Sequence, residues 1–411
     1  AIARIGGHTW LMDAARVMTA GAVDLGEKPS VVSAIVKSHL TELGRVVIND
    51  AMDVHGGKGI CMGPSNYLAR AYQSVPIAIT VEGANILTRS MIIFGQGAIR
   101  CHPYVLKEIT ATKEADTGKA LKDFDAAFFG HVGFVLSNFV RALWMGLTRA
   151  FFVSAPGDAH THRYYQQLTR LSSGFALMAD AAMFVLGGSL KRRERLSARL
   201  GDILSWLYLA SAALKRFEDS GRPADDLPFL RWAMQDALNK IQQAFYGLFE
   251  NLPSGLFTRL VAFKLRLVVF PYGREFDSPR DELGQAVVGA MLQPGAARDR
   301  LTAGVFIPKN EDEAVGTLEA ALRAVIAAET VDAKIRAGVK AGTLIGRRAD
   351  ELATQAVANN LISSDDVALL ARAQELRRKV IMVDDFPLDL GKSELFQTTQ
   401  AVTFDALRRR R

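Results

Sequence analysis

Cysteine is almost absent from this chain. Cys61 and Cys101 are the only two, too few for a disulfide framework and without metal-site spacing. A small stapled secreted scaffold is thereby excluded, and a reducing compartment, the cytoplasm by default, is expected. Proline is scarce as well, 13 in 411 residues, and no repeat of fixed period runs through the sequence, which removes collagen-like, solenoid and low-complexity readings. Long apolar runs are missing too. The longest uncharged one, residues 126–140, falls short of the roughly 20 residues that cross a bilayer and ends on Arg141, so no membrane span is expected. The first residues have no initiating Met and no basic leader but already show helical periodicity, so the chain is expected to begin inside a domain.

What is present is apolar substance and positive charge. Residues of hydrophobic type make up 49% of the chain, enough for a sizeable core, and the length suggests two or three domains. The net charge of +7 permits coenzyme A esters, nucleic acid or an acidic membrane as partners and selects none of them.

The patterning is helical almost throughout. From Ser30, the residues Val32, Val36, Leu40, Leu43, Val47, Ala51 and Val54 recur at intervals of three and four, one apolar stripe with Ser30 as N-cap and Gly56-Gly57 as its stop. Residues 57–64 form a glycine-punctuated turn, and a short segment spans 67–72. The apolar run 74–81, which holds Pro76, reads as a buried connection. A second helix is expected from near Gly83, with Leu87, Met91, Phe94 and Ala98 on its apolar face and His102-Pro103 closing it. Further helices are predicted over 121–152, 164–190, 193–217, 229–250, 256–270, 282–292, 311–327 and 365–382, separated by stretches of loop chemistry. Strand alternation is scarce, so the expected fold class is all-α. The polar, weakly periodic stretch 106–120 is expected to connect a first domain, 1–105, to a second, 121–411.

Two places carry more than packing. In DAMDVHGGKGI, residues 50–60, glycines at a helix end let backbone amides approach a dinucleotide or its pyrophosphate; they serve equally as a helix stop and tight turn. In ITVEGANILTR, residues 79–89, Glu82 follows the uncharged run 71–81 and stands before a helix. It could cap that helix, its charge favoured by the macrodipole. It could also be a general base in an apolar cleft, where desolvation raises its pKa.

Taken in order and spacing, these strings resemble one family, the acyl-coenzyme A dehydrogenases, over about the first hundred residues. The family's C-terminal helical domain has a helix ending in a GGxG turn, an Arg near a short helix, and EG opening the last helix; here these are Gly56 to Gly59, Arg70 in YLARAY, and Glu82-Gly83. The wording of residues 72–103 is most similar to the large bacterial enzymes of fatty-acid β-oxidation, whose long C-terminal extension would account for the rest as a second, larger helical domain. The resemblance implies that Glu82 removes the α-proton of a fatty acyl-CoA thioester while the β-hydrogen leaves as hydride to FAD, giving the trans-2-enoyl ester. By the same resemblance the backbone N–H of Glu82 and a flavin hydroxyl polarise the thioester carbonyl. Gly83 is expected beside the substrate, and Ala84, Asn85 and Ile86 on the flavin side. Gly56 and Gly57, with Asp53 in the preceding turn, are expected to meet the adenosine-pyrophosphate arm of FAD from a neighbouring subunit, which implies a homo-oligomer. Asp53 stands where the family often has Gln, and Ala84 replaces a common Thr. Electrons would pass to an electron-transferring flavoprotein. The N-terminal and middle flavin domains have no counterpart here, so the chain is expected to be the C-terminal part of a longer enzyme, inactive by itself. The competing class is a non-catalytic helical scaffold for oligomerisation or peripheral membrane association.

Candidates beyond residue 107 are fewer. Asp158, His160 and His162 lie close together without a fourth metal ligand of suitable spacing, so no metal is assigned. The stretch LFTRLVAFKLRLVVF, 256–270, reads as a buried helix with snorkelling cations, with apposition to an anionic membrane, for a bacterial chain the inner one, as the alternative. The basic cluster in LKRRERLSARL and the terminal LRRRR read as solvated faces and frayed ends, and no nucleic acid is expected.

Overall fold

The computed structural model describes residues 1–253 and 255–384, apart from the side chains of Ile99 and Arg100. Every regular element among them is helical, as the periodicity requires. Helix α1 (Ile2–Asp24) leads into α2 (Ser30–His55), whose first carbonyl acceptor is Pro29: it takes the Ser33 N–H at 2.8 Å, so the cap lies one residue before Ser30. Gly56, at φ 56°, ends α2, and the glycine turn closes into one helical turn, α3 (Gly57–Ile60).

The run read as a buried connection is helix α4 (Ala69–Thr80), and most of it is exposed, Tyr72 and Ile77 included. Pro76 removes a single N–H from the ladder, and the bonds beyond it persist, as Val81 N–H to the Ile77 carbonyl at 3.0 Å shows. The next helical track starts as α5 (Asn85–Leu87), continues as a π-helical segment (Thr88–Gln96) and ends as α6 (Gly97–Cys101). Helix α7 (Val105–Ala111) occupies the stretch read as a connection, and Asp116 caps α8 (Thr117–Leu147) by accepting the Gly118 N–H at 2.9 Å.

There follow α9 (His162–Leu186), α10 (Glu194–Asp219), α11 (Leu227–Asn251), α12 (Leu256–Val269), α13 (Asp281–Leu292) and α14 (Ala296–Leu301). The last helices are α15 (Ala314–Lys340), α16 (Ala349–Ala358) and α17 (Ser364–Ile381), the last opened by a capping box between Ser363 and Asp366. The terminal arginines of LRRRR lie outside the described residues.

The described residues form two compact units: Ala1–Ala51 with Ser74–Ala303, and Met52–Gln73 with the described residues from Gly304 on. This division does not follow the polar stretch 106–120. In the first unit Trp10, Leu11, Leu43 and Phe94 share one hydrophobic core with Leu171, Leu200, Phe229 and Phe245, because α1 and the π-helical segment pack on α10. In the second, α15, α16 and α17 enclose Val331, Ile335, Leu344, Ala356 and Leu370.

Two helices are more exposed than their apolar content suggests. On α12, Ala262, Leu265, Val268 and Val269 are buried, whereas Leu256, Phe257, Leu260 and Phe263 face solvent beside Arg259, Lys264 and Arg266. The expected buried helix is therefore buried on one side only. Helix α8, which packs against α12, likewise exposes Phe128, Phe129, Leu136, Val140 and Trp144. By length and composition two helices, Thr117–Leu147 and His162–Arg192, qualify to cross a membrane, which the uncharged run 126–140 alone did not suggest. Half of the second is buried in the core, where Arg170 is 1% exposed and paired with Glu275.

Candidate active site

Glu82 sits just past the end of α4 at φ 58°, and Gly83 follows at φ 88°. The left-handed backbone costs a residue with a Cβ about 1–2 kcal/mol. Arg149, Arg222 and Asn360 adopt it too, beyond the ends of α8, α10 and α16, so the conformation itself marks a helix end. What distinguishes Glu82 is its carboxylate, which is exposed and has no hydrogen-bond or ion-pair partner among the described residues. The following helix starts at Asn85 with Ala84 as N-cap and no side chain capping it, so Glu82 is not the cap.

The turn is held from beneath by α2. Lys37 Nζ donates to the Gly83 carbonyl at 2.6 Å, to Asn85 Oδ1 at 2.7 Å and to the Ile79 carbonyl at 3.4 Å. Asn85 is 4% exposed, and its Nδ2 donates to Thr41 Oγ1 at 2.8 Å, Glu42 Oε1 at 3.1 Å and the Ser38 carbonyl at 3.3 Å. The Asn85 side chain is thus turned into α2, and its backbone is what it can offer a ligand. Ala84 is half-buried and Ile86 is exposed. Sequence reasoning missed Lys37, Thr41 and Glu42. The available signal was that Lys37 is the only cation in the first half of α2.

Asp53, Gly56, Gly57 and Arg70 belong to the second compact unit. Asp53 is exposed on the last turn of α2, and Arg70 is exposed at the start of α4. A Cβ built on Gly56 or Gly57 would meet nothing within 4 Å, whereas on Gly59 it would meet Met52 Sδ at 3.3 Å. The first two glycines therefore leave open space above the turn. Asn66 clasps that turn, its Nδ2 donating to the carbonyls of Lys58 and Gly59 at 3.0 Å and of Cys61 at 2.9 Å. Lys58 Nζ donates to the Met382 carbonyl at 2.9 Å, tying the turn to the end of α17.

The Asp158 loop is an entry to α9: its carboxylate accepts the N–H groups of His160 at 2.8 Å and Thr161 at 3.1 Å. A different cluster brings His102, His131 and Asp180 within 4.8 Å of one another. His102 Nδ1 accepts the N–H groups of Tyr104 and Val105, so its proton resides on Nε2, which donates to Asp180 Oδ1 at 3.0 Å. His131 lies between Glu108, 2.8 Å from Nδ1, and Asp180, 3.3 Å from Nε2. Burial opposes its charge, but the hydrogen bonds to Glu108 and Asp180 prevail and its pKa is raised. The cluster is a proton network with no free ring nitrogen on His102 for a metal.

The chain is thus an all-helical one that carries an exposed carboxylate on a turn held by α2 and a glycine turn where α2 ends. Residues 5–95 match the family described as "Acyl-CoA dehydrogenase, C-terminal domain", and residues 99–386 match "Acyl-CoA dehydrogenase, C-terminal, bacterial type". The chain belongs to the acyl-CoA dehydrogenase family, as a C-terminal portion of the bacterial type. Among solved structures it resembles an acyl-CoA dehydrogenase complexed with FAD from Bacillus anthracis, with a TM-score of 0.50 and 15% identity, over 70% of this chain and 47% of that one. The chain thus spans about half the length of that protein, and at that identity the likeness is one of fold.

Proposed function

We propose that this chain is the base-bearing part of an FAD-dependent acyl-CoA dehydrogenase that converts medium- or long-chain fatty acyl-CoA to trans-2-enoyl-CoA. The observation that carries the reading is the unpartnered carboxylate of Glu82 on a left-handed turn pinned by Lys37 and Asn85. A general base needs an oxygen not already spent on a neighbour and a mount that holds it still. Gly83 leaves room for a thioester, since a Cβ there would find Thr88 Oγ1 at 3.6 Å as its nearest neighbour.

Two features, one in each compact unit, support a flavin dinucleotide as the group held. The open space at Gly56 and Gly57 admits a pyrophosphate to the backbone, while the exposed carboxylate of Asp53 would repel it, so the glycines and not Asp53 make that contact. Ile86 presents an exposed apolar face next to the base, with Ala84 beside it. Bound flavin supplies the acceptor for the β-hydrogen and its electron pair. Glu82 takes the α-proton, the electron pair of that C–H bond becomes the new C=C bond, and the Glu82 N–H steadies charge on the thioester oxygen. The isoalloxazine and coenzyme A surfaces come from the N-terminal and middle domains of a longer, cytoplasmic, homo-oligomeric enzyme that reduces an electron-transferring flavoprotein.

In the full-length enzyme, Glu82→Gln is expected to slow flavin bleaching by acyl-CoA about 10²- to 10⁴-fold with FAD content unchanged. A wild-type bleaching rate would remove Glu82 from the role.

A second, surface role is favoured by the exposed apolar faces of α8 and α12, rimmed by Arg259, Lys264 and Arg266: peripheral contact with an anionic membrane. The protein should float with anionic liposomes and release in high salt. Substituting Phe257 and Phe263 with Ser should abolish flotation, and flotation unchanged by the pair would exclude this face.

A further inference from the structure

The first unit holds a cavity of about 770 Å³, within the usual 300–1,000 Å³ range of small-ligand sites, walled by α6, α8, α9, α10 and the end of the π-helical segment. It shares no residue with the Glu82 turn. Phe94, Phe134, Leu168, Phe175 and Leu207 make its apolar wall. Three of the six hydroxyls along it are occupied: Thr169 donates to the Tyr165 carbonyl, Ser211 to the Leu207 carbonyl, and Tyr208 pairs with Thr19. Two nitrogen donors are not. Asn138 is 5% exposed, and its Nδ2 is buried without a hydrogen-bond partner. Arg141, one turn further along α8, is exposed and has no partner among the described residues. Residues three apart on a helix share a face, and both residues line the cavity.

We propose that this cavity binds a fatty acid through its carboxylate. The buried amide N–H carries its full desolvation cost until an acceptor arrives, and a carboxylate can accept from it and from the guanidinium together while the alkyl chain lies along the phenylalanine and leucine wall. Charge decides the headgroup. Arg141 is the only Lys or Arg among the described lining residues, which suits one negative charge and not the several phosphate charges of a coenzyme A ester. The site is therefore a second lipid site, separate from the thioester-processing turn.

Titration calorimetry of the whole chain with dodecanoate, below its micellar concentration, and with dodecanol tests this. Dodecanoate is expected to bind about tenfold or more tightly than dodecanol. Arg141→Ala and Asn138→Leu should each erase that preference, Ala176→Trp should block both ligands, and Glu82→Gln should change neither. Arg141 is exposed, so its Ala variant keeps the fold and decides the matter even if Asn138→Leu does not fold. No dodecanoate binding to the native chain, or unchanged binding to Arg141→Ala or Ala176→Trp, would overturn the proposal.

Discussion

Lys37 and Gly83 are 46 residues apart, and their hydrogen bond joins α2 to the turn that carries Glu82. Lys37→Met would leave the Gly83 carbonyl and Asn85 Oδ1 without their charged donor, a loss of about 1.5–3 kcal/mol per such bond when buried and less at this partly exposed place. Because Lys37 acts through the turn, the variant of the full-length enzyme should lose flavin-reduction rate at saturating acyl-CoA with little change in KM, and Lys37→Arg should restore part of it. Equal kcat in wild type and Lys37→Met would show that the turn needs no such support. A second residue-scale prediction concerns Asp53. Replacing its exposed carboxylate by Gln removes a repulsion at the glycine turn, so Asp53→Gln should retain FAD better on dilution. Unchanged retention would mean that Asp53 does not face the pyrophosphate. The role proposed for Glu82 came from the sequence because its neighbours in the chain carry the motif. Lys37 was not, since its role exists only where two distant segments meet.

Between elements, the most informative contact is the clamp from α9 to the chain after α12. Arg170, buried beside Phe270, donates Nη1 to Glu275 Oε2 at 2.8 Å and Nη2 to the Val269 carbonyl at 2.8 Å. Its Nε is buried without a partner. Removing one member leaves a charge without compensation in the core, so Glu275→Gln should cost about 3–5 kcal/mol of stability, whereas Arg170→Met with Glu275→Gln should recover much of it. Denaturant unfolding of both variants checks this; a double variant no better than the single would show that the ion pair itself stabilises. Most longer helices were read from periodicity within a few residues, as with α11 (Leu227–Asn251) for 229–250, but α15 (Ala314–Lys340) runs well past the 311–327 expected. The missed ones were α4, where Pro76 argued against a helix, and the short α7, α14 and α16, each ten residues or fewer. The π-helical segment was also missed, because a period of five per hydrogen bond still places Thr88, Ile93 and Phe94 inward and looks helical in the sequence.

At the scale of the whole molecule, a polar stretch such as 106–120 looks like a seam, yet α1 and the π-helical segment pack on α10 across it, and only the fold reveals that shared core. That core contains groups that couple its stability to pH. His8 and His39 lie edge-on to Trp232 and Trp206, with ring centroids 4.9 and 5.4 Å apart. Burial lowers the pKa of each to about 4, and a ring nitrogen of each is buried without a partner. The unfolded chain takes up these protons near pH 6.5, well before the folded one does. Their contribution to stability is therefore constant above that pH and falls as pH drops towards about 4, by up to about 3 kcal/mol per residue. His131 works in the opposite sense: its raised folded pKa adds stability that is complete below about pH 6.5 and is lost as pH rises through the folded value. Two depressed histidines against one raised one make the acid side the steeper. All four tryptophans, Trp10, Trp144, Trp206 and Trp232, lie in the first unit with these histidines, so urea unfolding followed by indole emission reports that unit alone. His39→Phe should flatten the acid limb and His131→Gln the limb above neutrality. An acid limb of wild-type slope in His39→Phe would mean that His39 is protonated in the folded chain.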